Sequence, residues 1–162
     1  MTSKDLNRLK KLCESKQIKI SLAESCTGGL VSSSITSIAG SSNFFESAII
    51  SYSNNAKIKL LGINRNLILK HGAVSKEVAL SMAKNLHRLT RSHICASITG
   101  IAGPGGGSKQ KPVGTVYFSI YKKIGNKIKI NNYKKIFNFK NRIVIQKKSN
   151  DFLLRELINI ID

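Results

Sequence analysis

Residues 22–33 read LAESCTGGLVSS. An acid, a hydroxyl, a thiol, a second hydroxyl and two glycines stand in a row where an apolar stretch gives way to helix-like sequence. In α/β proteins such a junction carries nucleophiles or binds phosphate, because N–H groups at a helix start point outward with the positive end of the dipole behind them. Ser25 sits as the nucleophile of a strand-turn-helix elbow would, although GxSxG is absent. Cys26 competes, since its thiol is intrinsically the better nucleophile, but nothing adjacent in sequence would depress its pKa. Thr27, Gly28 and Gly29 would offer donors to an oxyanion or a phosphate. The same residues also suffice for a tight turn and a helix cap without chemistry.

A serine nucleophile needs a base. Lys57 lies about one turn into the helix expected after FFESAIISYSNN, and it could deprotonate Ser25 if burial kept its amine neutral. Tyr52, at the end of the preceding strand, could hold or relay a proton. In a chain this rich in lysine a solvated helix lysine is the competing reading, and Lys59 is the natural control. A third polar stretch, TGIAGPGGGSKQKPVG, fits neither GxxxxGK[ST] nor GxGxxG. Gly100 and Gly103 would allow backbone to approach a ligand, whereas 105–111 reads as a surface loop. His71, before Gly72, reads as a helix-ending cap and is left out of the catalytic set.

These residues must be positioned by the elements around them. Residues 3–16 carry Leu6, Leu9, Leu12 and Cys13 on one helical face. Residues 18–23 read as a strand, 27–39 as a helix, 44–53 as a buried strand and 54–61 as a helix capped by Asn54 or Asn55. A short helix over 64–70 precedes the strongest helical pattern, 75–89, with Val78, Met82, Leu86 and Leu89 on one side. Residues 92–99 form a strand, 113–122 and 127–139 a hairpin around Gly125-Asn126, and the last helix runs from 141 or 142 to 161. This order predicts one domain over residues 1–162, an α/β three-layer sandwich with a mixed sheet and helices on both faces. Ligands of such sheets sit at the carboxyl ends of strands, and the three polar stretches all fall at such ends.

Composition narrows the chemistry. The net charge is +19, with 27 Lys and Arg against 8 Asp and Glu. The lysines are scattered and no nucleic-acid motif accompanies them, so weak, salt-sensitive sticking is expected rather than specific nucleic-acid recognition. Between Ser15 and Asn150 the only acids are Glu24, Glu46 and Glu77. Paired-carboxylate and two-metal chemistry therefore lack ligands, and the three separated histidines make a zinc site a poor expectation. Three widely spaced cysteines give neither a disulfide framework nor a metal motif, and reduced thiols are expected. No apolar run has membrane-spanning length and the N-terminus lacks a signal-peptide core, so no membrane association and a cytoplasmic location are expected.

Taken together, AESCTGGLVSSSIT, IAGSSNFFESAIISYSNNAKIKLLGI, HGAVSKEVALSMA and SITGIAGPGGGSKQKPVGTVYFSI closely resemble the CinA C-terminal domain family, whose stand-alone members look like nicotinamide-nucleotide amidase. The resemblance covers nearly all of 5–123. It implies an α/β/α sandwich and a Ser/Lys amidohydrolase, with no cofactor and no metal, that converts nicotinamide mononucleotide to nicotinate mononucleotide and ammonia in pyridine-nucleotide salvage. The motif serine falls on Ser25, the lysine of YSNxAK on Lys57 and its tyrosine on Tyr52. The AGSS turn, near the site in the family, puts Ser42 there, and Thr99 and Gly100 would hold the ribose phosphate. Arg142 matches an arginine that opens the last helix, but Lys140 and Asn141 stand where glycine and an acid are expected. A homo-oligomer is expected. A nucleotide-binding relative without catalysis is the alternative, with a competence- or nucleic-acid-linked role as a weaker one.

Overall fold

A computed structural model describes residues 2–162. Helix α1 (Ser3–Ser15) opens on a capping box between Thr2 and Asp5 and buries Leu6, Leu9 and Cys13. Strand β1 (Ile20–Glu24) follows and is buried along its whole length, as a central strand covered on both faces must be. Helix α2 (Leu30–Thr36), a 3₁₀ turn (Ser41–Asn43) and strand β2 (Phe45–Ile50) come next. Helices α3 (Asn54–Leu61), α4 (Arg65–His71) and α5 (Lys76–Thr90) lead to strand β3 (Ile94–Gly100). The hairpin β4 (Thr115–Ile124) and β5 (Lys127–Ile136) precedes the long helix α6 (Arg142–Ile161).

The sheet order is β2-β1-β3-β4-β5, with β1 parallel to β2 and β3, and with β4 antiparallel to both β3 and β5. Alternation along each strand divides the core in two. Leu22, Ile98, Val116 and Phe118 face α1, α2 and α6, whereas Ala23 and Cys95 face Leu61, Met82 and Leu86 of the α3–α5 layer. The expected mixed three-layer sandwich is the observed one.

Chain direction then selects one crevice. From β1 the chain crosses to β2 on one side, and β3 joins β1 on the other. The carboxyl end of β1 is therefore where the strand order reverses, the place at which open α/β sheets bind ligands. Residue 25 is the first beyond it.

Several local expectations need correction. Strand β2 is an edge strand and only half-buried, because nothing pairs along its outer side. Ser53, not Asn54 or Asn55, caps α3, its Oγ accepting from the Ala56 N–H at 3.0 Å. Helix α2 begins three residues later than the glycine pair suggests, since Gly28 and Gly29 both adopt positive φ and extend the turn. Leu89, expected on the buried side of α5, is 59% exposed in the helix's last turn, where burial ends with Leu86 and His87. No helix among the described residues is long and apolar enough to cross a membrane.

Candidate active site

Ser25 and Lys57 meet through backbone geometry set by β1, β2 and α3. The Ser51 N–H donates to the Glu24 carbonyl at 2.8 Å, pinning the end of β2 to the end of β1. Ser53 then caps α3, which places Lys57 in the first turn with its side chain leaning toward the helix start, back over the strand ends. Lys57 is 1% exposed, and its Nζ donates to Ser25 Oγ at 2.8 Å, to the Ser51 carbonyl at 2.8 Å and to the Tyr52 carbonyl at 3.4 Å. No carboxylate faces it. Burial therefore lowers its ammonium from the ordinary 10.5 to about 8. A lysine so placed is neutral in a useful fraction of molecules near neutral pH and can take a proton from Ser25. Lys59, two positions on, is exposed.

Cys26 loses the competition. Its side chain is buried, and desolvation pushes its thiol up to about 12, away from the thiolate that nucleophilic attack requires. Its carbonyl is held by Gln146 of α6, whose Nε2 donates at 2.8 Å. The three cysteines are free and buried.

The turn after Ser25 uses most of its donors internally. Gly28 N–H returns to the Ser25 carbonyl at 3.1 Å and Leu30 N–H to Thr27 at 3.2 Å. Gly29, Val31 and Ser32 N–H groups all donate to the Glu24 carboxylate, at 3.0, 3.2 and 2.8 Å. Those N–H groups at the start of α2 are thus already taken by an acid of the chain itself. Of the donors expected over Thr27–Gly29, only Thr27 N–H is free, joined by that of Cys26. Among the described residues neither donates to an oxygen, and the Cys26 N–H turns only to its own Sγ. Glu24 was noted in the sequence for its rarity and given no role; the informative signal was its spacing ahead of Thr27 and Ser32.

Tyr52 and Arg142 form a second cluster. Arg142 opens α6 and donates to the Gly103 carbonyl at 2.8 Å and to the Tyr52 hydroxyl. Tyr52 thus reaches Lys57 through its carbonyl while its hydroxyl meets Arg142. Asn141, standing where an acid was expected, caps α6 by accepting from Ile143 and Val144 N–H groups. Thr99 is buried at the same end of the sheet, its hydroxyl donating to the Ala73 carbonyl at 2.9 Å.

One expectation fails on geometry. Ser42 lies before β2, where its carbonyl accepts from Lys19 just ahead of β1. It stands a strand length, roughly 17 Å, from Ser25 at the opposite end of the sheet, so one copy of the chain does not bring it to the site. Close packing already requires glycine at Gly100 and Gly103, so ligand approach is not needed to explain either. A Cβ at Gly100 would stand 2.8 Å from Val116 Cγ2 and 2.9 Å from the Thr115 carbonyl, and one at Gly103 would stand 2.6 Å from Val113 Cγ1. The segment 104–110 is exposed, as a surface loop should be. His71 ends α4 and faces Glu77 at 3.7 Å.

A groove of about 370 Å³ opens beside the turn, lined by Thr27, Gly28, Gly29 and Leu30 on one wall and by Ile143, Gln146 and Lys147 of α6 on the other. A larger concavity, about 820 Å³, runs along α1 from Lys4 to Ser15 and contains neither nucleophile nor buried base. No group of three or more His, Cys, Asp or Glu that could hold a metal ion occurs among the described residues.

Comparison with known proteins shows the family and the fold. The CinA C-terminal domain profile matches residues 3–161. A CinA-like protein of Prochlorococcus marinus subsp. pastoris is 54% identical over 142 residues, covering 87% of this chain and 32% of its own length. A CinA-like protein of Thermosipho melanesiensis is 45% identical over 143 residues, covering 86% of this chain and 35% of its own. The chain thus spans about a third of the length of these curated relatives. Among solved structures, the competence/damage inducible protein CihA from Agrobacterium tumefaciens is 33% identical with a TM-score of 0.88, covering 98% of this chain and 96% of that one. A CinA superfamily protein from Klebsiella pneumoniae, 24% identical, shares the fold with a TM-score of 0.90 over 98% of this chain and 96% of its own. A profile match over nearly the whole chain, with relatives up to 54% identical, shows the family: the chain belongs to the CinA C-terminal domain family.

Proposed function

We propose that the chain is a Ser/Lys amidohydrolase that converts nicotinamide mononucleotide to nicotinate mononucleotide and ammonia, without a metal or cofactor. The observation that carries the reading is the 2.8 Å contact between Lys57 Nζ and Ser25 Oγ, inside a site that lowers the lysine to about 8. In this reading neutral Lys57 takes the Ser25 proton, and Oγ attacks the carboxamide carbon to give a tetrahedral oxyanion. The free N–H groups of Cys26 and Thr27 receive that oxyanion. Collapse breaks the C–N bond, Lys57 returns its proton to the leaving nitrogen, and ammonia departs. Water, deprotonated by the same lysine, then cleaves the Ser25 ester to release the carboxylate and restore the serine.

Arg142, which opens α6 against Tyr52 and Gly103, is the candidate contact for the nucleotide's phosphate, and Thr99, near the end of β3, for its ribose phosphate. The test is ammonia release from nicotinamide mononucleotide in the presence of a chelator, for wild type, Ser25→Ala and Lys57→Ala. Turnover that survives the chelator and disappears in both variants supports the reading. A folded wild type that binds the nucleotide but releases no ammonia would instead make the chain a nucleotide-binding relative.

A further inference from the structure

Glu24 takes no part in the steps above, yet its carboxylate is fully buried and surrounded by donors. Oε2 accepts from Thr27 Oγ1 at 2.6 Å, Gly29 N–H at 3.0 Å and Val31 N–H at 3.2 Å. Oε1 accepts from Ser32 N–H at 2.8 Å and from the Ser32 hydroxyl. Every one of these donors lies beyond the nucleophile, and the acid lies immediately before it. The carboxylate is thus a knot around which residues 25–32 are wound.

What the knot leaves out is as informative as what it gathers. Gly28 and Leu30 N–H groups are satisfied by carbonyls within the turn, and Gly29, Val31 and Ser32 by Glu24. Cys26 and Thr27 are only 6% and 4% exposed, and among the described residues neither N–H, like that of Ser25 itself, donates to an oxygen, the Cys26 N–H turning only to its own thiol. Buried N–H groups without an oxygen acceptor are rare because each carries a desolvation cost, so a run of them at a nucleophile marks the seat of an incoming oxygen.

We infer that Glu24 is a positioning residue: by drawing Thr27, Gly29, Val31 and Ser32 onto its carboxylate it holds the turn in the one form that leaves Cys26 and Thr27 N–H groups open to the oxyanion. The inference rests on Ser25 being the nucleophile, as in the reading above. It assigns Glu24 no contact with substrate. Its contribution appears only when negative charge develops on the attacked oxygen, and so in kcat rather than in KM.

The experiment compares wild type, Glu24→Ala, Glu24→Gln and Ser32→Ala by two readouts: steady-state ammonia release, and the rate at which a fluorophosphonate probe labels Ser25. Glu24→Ala is expected to lower both kcat and the labelling rate by about 10- to 100-fold with KM changed less than about threefold, since one misplaced oxyanion donor typically costs 10²–10³ in rate. Formate in excess is expected to refill the vacated carboxylate position and restore much of the loss in Glu24→Ala, while leaving wild type and Ser25→Ala unchanged. Ser32→Ala, which removes one hydroxyl without opening a large hole, keeps the inference testable if neither Glu24 variant folds; its kcat should fall by about 2- to 10-fold. Folded variants with unchanged kcat and labelling, or with raised KM alone, would overturn the assignment. If wild type is labelled at Ser25 but releases no ammonia from nicotinamide mononucleotide, the substrate reading fails while the labelling series still decides the role of Glu24. If Ser25 is neither labelled nor required, the role assigned to Glu24 fails with it.

Discussion

Lys57 Nζ stands 2.8 Å from Ser25 Oγ, with the carbonyls of Ser51 and Tyr52 as its other partners and no carboxylate facing it. An ammonium there is solvated only by neutral oxygens, and burial brings its pKa to about 8. The neutral amine is the form that accepts a proton. Amidase activity should therefore rise with pH through a midpoint near 8, at about tenfold per unit well below it, and level off above. Steady-state kcat/KM, which reports the free enzyme, checks this across the neutral to mildly alkaline range, and a flat profile would remove Lys57 as the base.

The same burial acts against stability. Because the folded-state pKa lies below the unfolded value, the unfolded chain holds more protons between about 8 and 10.5. Stability linked to Lys57 therefore improves as pH rises through that window, and its full cost is present below it. Lys57→Met, which keeps the volume and removes the charge, should be inactive yet more stable at neutral pH, by about 1–3 kcal/mol after the lost hydrogen bonds are allowed for. The advantage should shrink in strongly alkaline buffer. Denaturant melts at the two pH values measure it, and a less stable variant at neutral pH would contradict the account.

Cys26 adjoins the proposed nucleophile, but burial holds its thiol protonated. With its thiol pushed up to about 12, Cys26→Ala should retain kcat within about threefold while costing about 1 kcal/mol of stability for the lost sulfur packing. Loss of turnover beyond about a hundredfold in the folded variant would reinstate the thiol as a participant.

Gly28 and Gly100 are glycines for different reasons, and alanine separates them. At Gly100 a Cβ would meet Val116 Cγ2 and the Thr115 carbonyl, so Gly100→Ala should cost about 1–3 kcal/mol by overpacking. At Gly28 a Cβ would meet nothing within 4 Å, but φ is +62°, so Gly28→Ala should cost about 1–2 kcal/mol through backbone strain alone. Crystal structures or amide shifts should then show movement of Val116 in the first variant and none at the second site. Equal repacking in both would refute the distinction.

Much of this protein is legible in the chain as written. Periodicity marks α1, α5 and α6 because each buries a stripe against the sheet, and apolar runs mark β1 and β3 because both of their faces are covered. The turn at Ser25 is visible as a local pattern, since a glycine pair between strand and helix supplies the positive φ that such a turn needs. The identity of its base is not: one lysine among many is singled out only when β1 and β2 pair, Ser53 caps α3, and Lys57 is folded out of water against Ser25. Nor does local sequence say which N–H groups stay open, because that depends on a buried carboxylate choosing Gly29, Val31 and Ser32 over other acceptors. Ser42 shows the limit from the other side, a polar residue in a suggestive turn that strand direction carries to the wrong end of the sheet. Residue type and spacing are short-range properties and mark the elements and the elbow at Ser25. Burial, charge state and donor availability are set by contacts between segments distant in sequence, and only the tertiary structure decides those.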